Sequence, residues 1–122
     1  MTAKAAGQER TIGDLVYVGI NRRVIALDRY GGQVVWEWRA PRGSGFVALL
    51  LDGDRLIAAV SGYVYCLDPL YGQVVWENPL PGYGTGLTTL ASVHGSSSPA
   101  TVAAAIAQQQ RAAAAAASAG TG

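Results

Sequence analysis

One histidine, one cysteine and two asparagines are all that 122 residues hold of those types. His94, alone, provides no material for a histidine-based triad or a multi-histidine metal site. Cys66 has no disulfide partner. It sits in an apolar run with no His or Lys beside it, which reads as a small buried hydrophobe rather than a reactive thiol. Asn21 and Asn78 fall at turn and strand-end positions, and the eight acidic residues are scattered. A Ca²⁺ site, which wants about six or more clustered oxygens, is therefore not expected. Net charge is only +1, so bulk charge argues neither for nucleic acid nor for an anionic membrane. No apolar run reaches the roughly eighteen residues of a membrane span, and the alanine-rich tail is broken by three glutamines and Arg111. Residues 1–10 lack the apolar centre of a secretory signal. The expectation is a soluble chain made in the cytoplasm, free or built into a virion or other large assembly, with no membrane insertion and no nucleic-acid partner.

What the chain does have is repetition. Residues 24–37, VIALDRYGGQVVWE, recur forty positions later at 64–77 as VYCLDPLYGQVVWE. Asp28, Gly32 and Trp36 thereby match Asp68, Gly72 and Trp76, and Asp14 matches Asp54. A period near forty residues, carrying short apolar strands and a fixed tryptophan, marks β-propeller blades. Strands are expected at 15–20, 24–28, 34–38, 46–51, 56–60, 63–68, 74–77 and 87–93, each bounded by turn formers such as Asn21-Arg22, Asp52-Gly53-Asp54 and Ser61-Gly62. The fold expected is all-β, two four-stranded antiparallel blades offset in phase. Three outer strands open the chain, a whole blade follows, and 87–93 supplies the inner strand of a third. Residues 1–13 form an extension, 14–94 the repeats, and 95–122 a Gly/Ser joint and tail.

The pattern Ala-x-Asp-x-x-x-Gly-x-x-x-Trp reads Ala26, Asp28, Gly32, Trp36 and then Cys66, Asp68, Gly72, Trp76. It resembles the tryptophan-docking repeat of quinoprotein-type (pyrroloquinoline-quinone-like) propellers, over roughly residues 14–93. Gly31 and Tyr71 stand where that family often has threonine. The resemblance implies that each Trp lies between adjacent blades, where its indole N–H needs a partner. The Asp is expected to accept backbone N–H bonds at the turn, and the Gly to take a positive φ. Quinoprotein enzymes would add a stacking Trp, a Glu/Asn calcium cluster, a catalytic Asp and often adjacent cysteines, and this chain has neither the cysteine pair nor the cluster. The GYGTG segment at 82–86 lacks the lysine of a phosphate loop and leads into a strand. No catalytic residue, cofactor or metal is expected, and no enzymatic activity.

One end of such a disc would carry Arg22, Arg23, Arg39 and Arg42, a candidate face for an acidic partner; the other would carry Asp14, Asp28, Asp52, Asp54 and Asp68. Ser98 and Pro99 are a helix start, and residues 99–118 are expected to be helical, with Val102 and Ile106 as contact residues. Two incomplete blades expose unpaired edges. The terminal strand of one copy could complete the opening blade of the next, which gives a head-to-tail homotrimer of six blades or homotetramer of eight. Three functions compete: a non-catalytic scaffold docking protein partners, such as a virion component; a relative of outer-membrane assembly scaffolds; and a glycan-binding ring using Tyr17, Tyr30, Tyr63, Tyr65 and Trp38.

Overall fold

A computed structural model describes residues 9–96 together with Ala107, Gln110 and Arg111. The helix expected over 99–118 falls outside the described residues except for those three, which are helical. The Asp14 carboxylate accepts the Thr11 N–H at 2.8 Å and the Thr11 hydroxyl at 3.0 Å, closing a single turn, Ile12–Asp14, before the first strand.

Three antiparallel sheets follow. The first orders β1 (Leu15–Ile20), β2 (Arg23–Asp28) and β3 (Val34–Arg39); the second orders β4 (Val47–Asp52), β5 (Arg55–Val60), β6 (Tyr63–Leu67) and β7 (Val74–Asn78). The third pairs only β8 (Ala91–Ser92) with β9 (Gly95–Ser96). The offset expected from the sequence is present: three strands, then four. Two-residue turns set the registers. Asn21 and Arg22 both take positive φ (49° and 66°), as do Ser61 and Gly62 (52° and 91°), the mirror-image turn whose twist matches paired strands. The forty-residue period also extends to an irregularity. Ala26 pairs Trp36 but Leu27 pairs Val34, leaving Val35 as an extra residue; Cys66, Trp76, Leu67 and Val74 repeat this around Val75. Each bulge strengthens the twist just before the tryptophan.

The core lies between the two larger sheets. Val24 and Ala40 from the first meet Val47, Leu56, Ala58, Val60, Tyr65 and Leu67 from the second, with Tyr17, Trp36 and Trp38 packed against them. The far strand β7 is exposed along its whole length.

The strand expected at 87–93 is corrected to the dipeptide Ala91–Ser92. Its register shows what it is. Ala91 pairs Ser96 and Ser92 pairs Gly95, forty residues after Leu51↔Leu56 and Asp52↔Arg55. A third repeat thus begins in phase. Residues 87–90 carry LTTL where β4 carries VALL, and β4 is ladder-paired to β5 along its length. Among the described residues the ladder holds Ala91↔Ser96 and Ser92↔Gly95, and the positions that would extend it opposite 87–90 fall outside them.

Candidate functional site: the joint between repeats

The repeated Asp and Gly build one turn twice. Asp28 N–H donates to the Gln33 carbonyl and Gly32 N–H to the Asp28 carbonyl, each at 2.8 Å; Asp68, Gln73 and Gly72 do the same at 2.8 Å. The side chains tie the turn from within: Asp28 Oδ2 accepts Gly31 N–H and Asp68 Oδ1 accepts Leu70 N–H, both at 2.8 Å. Gly32 and Gly72 take φ of 79° and 76°, which a side chain disfavours.

Around the second turn the repeats join. Trp36 reaches from β3 across to the turn after β6, where its Nε1–H donates to the Pro69 carbonyl at 3.0 Å. The Tyr17 hydroxyl donates to the same carbonyl at 2.8 Å. The indole covers Gly72 so closely that a Cβ there would stand 2.4 Å from Trp36 Cε3. Gly72 therefore serves two ends, the positive φ and the absent side chain. Burial, and then the Asp68 charge, push the Tyr17 hydroxyl from 10.0 up to about 12.

The equivalent groups at the outer ends are open. Trp76 is 46 % exposed on β7, and a Cβ built at Gly32 meets no atom within 4 Å. One tryptophan and one glycine socket of the same design thus stand free among the described residues, at opposite ends of the two-repeat unit.

The four arginines gather at one end of the sheets but differ in what they touch. Arg22 is half-buried, with its N–H bonded to the Gly45 carbonyl at 2.8 Å and its carbonyl accepting Ala40 N–H at 2.9 Å. Arg23 faces Arg39 across the ladder and pairs with Glu37 at 3.3 Å. Arg42 lies 5.9 Å from the Tyr63 ring centroid. Arg39 and Arg42 are exposed. At the other end Asp14 and Asp28 are buried, and Asp52 pairs with His94. Among the described residues no group of three or more His, Cys, Asp or Glu is placed to hold a metal ion.

A tryptophan of one repeat seated on the Asp–Gly turn of the next defines a protein of tandem tryptophan-docked propeller repeats. The sequence profile of the family described as outer membrane protein assembly factor BamB matches residues 8–122, and the chain belongs to that family. Among solved structures, BamB from Moraxella catarrhalis is similar at 29% identity, with a TM-score of 0.49, over 64% of this chain and 24% of that one. The chain thus spans about a quarter of that relative's length. No curated protein matches.

Proposed function

We propose that the chain is a non-catalytic β-propeller scaffold that docks protein partners, and that its copies join head to tail. The carrying observation is the unmatched pair: Trp76 is half-exposed while the Gly32 socket is empty, and the same pair one step inward, Trp36 and Gly72, is closed. Seating Trp76 of one copy over Gly32 of the next would bury Val34, Val74 and Val75, now 62 %, 45 % and 46 % exposed. Such a contact is heterologous, so it closes as a ring or runs on as a filament. Two repeats per copy favour six or eight blades, a trimer or a tetramer.

Light scattering tests this. The full chain is expected at three or four times 12.6 kDa, and Trp76→Ser at 12.6 kDa with its sheet signal retained. A folded monomer of the parent chain overturns self-assembly; an intact oligomer of Trp76→Ser overturns this joint. A second reading, favoured by the family match, is that the scaffold serves outer-membrane protein assembly, with Arg39 and Arg42 presented to an acidic partner. That reading locates the chain at the cell envelope, and fractionation of cells tests it.

A further inference from the structure

Between the loop that leaves β3 and the outer strands of the second sheet lies a cavity of about 210 Å³. It takes no part in the Trp36 joint. Its wall is aromatic: Tyr63 and Tyr65 stand two apart on β6 and face the same way, with Tyr65 held edge-on to Trp38 at a centroid distance of 4.8 Å. Its rim is polar. Arg42 contributes a guanidinium beside Tyr63, and Glu77 stands across the ladder from Tyr65. Asn78 and Pro79 line its edge, where Asn78 Oδ1 accepts Leu80 N–H at 2.9 Å and fixes the chain as it leaves β7.

The cavity comes from a departure between repeats. Position 63 is forty residues after position 23. In the first repeat Arg23 pairs with Glu37. In the second, Tyr63 replaces the arginine while Glu77 is kept, and among the described residues Glu77 makes no ion pair. An acceptor, donors and aromatic faces are thus brought together in a concave site of the kind that takes small ligands.

The charges decide the ligand class. One guanidinium and one carboxylate cancel, so the site has no net charge with which to hold a lone cation or a lone anion. What suits the site is a neutral molecule with an apolar face for tyrosine and several hydroxyls that both donate and accept. The volume lies below the roughly 300–1,000 Å³ of pockets for drug-sized ligands, which limits the guest to one ring. We propose that this cavity binds a single neutral pyranose unit, with its hydroxyls donating to Glu77 and accepting from Arg42.

Amide and side-chain NMR titration of the full chain tests this, using glucose, galactose, mannose and N-acetylglucosamine in turn, with zwitterionic glycine and cationic arginine as comparators. At least one sugar is expected to give saturable shifts confined to Arg42, Tyr63, Tyr65, Glu77 and Asn78. Glu77→Gln, nearly isosteric on an exposed strand, should weaken binding about tenfold, the loss of one charge-assisted hydrogen bond. Tyr63→Arg, which restores the first repeat's residue, should abolish it while the rest of the spectrum stays folded. No saturable shift with any of the four sugars overturns the proposal. So does tighter binding of glycine or arginine, or undiminished sugar binding by Tyr63→Arg.

Discussion

Trp36 occupies the space in which Gly72 would carry a side chain, with its ring carbons 2.4 and 2.6 Å from where a Cβ would lie. The contact sets a rigid ring against backbone, so a Cβ at position 72 is accommodated only if the whole indole leaves its seat. Gly32 has nearly the same φ, 79° against 76°, but no atom near a built Cβ. The two glycines therefore separate the cost of the backbone angle from the cost of losing the joint.

Under dilute conditions that hold the chain monomeric, Gly32→Ala should destabilise by about 1 kcal/mol, the strain of alanine at positive φ. Gly72→Ala should cost about 3 kcal/mol or more, because the indole must also leave its seat. Urea denaturation gives both values. Equal costs would mean that the Trp36 seat contributes nothing.

Pro69 is buried and its carbonyl accepts two donors, Trp36 Nε1–H at 3.0 Å and the Tyr17 hydroxyl at 2.8 Å. Tyr17→Phe or Trp36→Phe alone leaves one bond in place, so removing the Tyr17 donor should cost about 1 kcal/mol, with Trp36→Phe adding the lost ring area. The double variant leaves a buried acceptor with neither donor. A double-mutant cycle should show it less stable than the sum of the singles by about 1 kcal/mol. Strict additivity would show that water replaces the lost donors freely.

The repeat, the strand order and the Asp–Gly turns were legible because each rests on local chemistry: two-residue turns, positive-φ glycines and alternating burial. The indole's need for a partner was also legible, but not that Pro69 would supply it, since position 69 is an unspecified residue of the Asp-x-x-x-Gly pattern and the acceptor is a backbone carbonyl that every residue carries. The strand at 87–93 was over-read. It matched β4 in place within the period but not in apolar content, with LTTL where β4 has VALL, and among the described residues only Ala91–Ser92 is ladder-paired. Spacing put the four arginines at one end of the sheets but did not show what each would touch. Arg23 has Glu37, and Arg42 has the Tyr63 ring, both partners on neighbouring strands that spacing alone does not pair. The cavity at Tyr63 was hidden for a similar reason, because it appears only once Glu77 is seen without the arginine its counterpart keeps.

Tyr17 gives a pH dependence with a definite sign. Its folded value, about 12, exceeds the unfolded value of 10.0, so the folded state holds the hydroxyl proton more tightly. The associated stability is complete below pH 10.0 and is lost as pH rises toward about 12. Burial also pushes Tyr65 upward, in the same direction. Urea midpoints should therefore fall across this alkaline window, and fall less steeply in Tyr17→Phe. An unchanged slope in that variant would remove Tyr17 from the account.

Cys66 reports on opening of the whole second sheet. It is fully buried on β6, between Ile57 and Trp76 in the ladder, and burial pushes its thiol above the ordinary range. Reagent access and thiolate formation both require the sheet to open, so a disulfide reagent should label the native chain only through that opening. When reclosing outpaces labelling, the rate follows the open population, and each 1.4 kcal/mol of lost stability should raise it about tenfold. Gly72→Ala should then label roughly a hundredfold faster than the parent, and Gly32→Ala only several-fold. The order of the two rates carries the argument, since both variants keep Cys66 and its strand neighbours unchanged. Burst labelling of the parent chain in the absence of denaturant would contradict the burial of Cys66 outright.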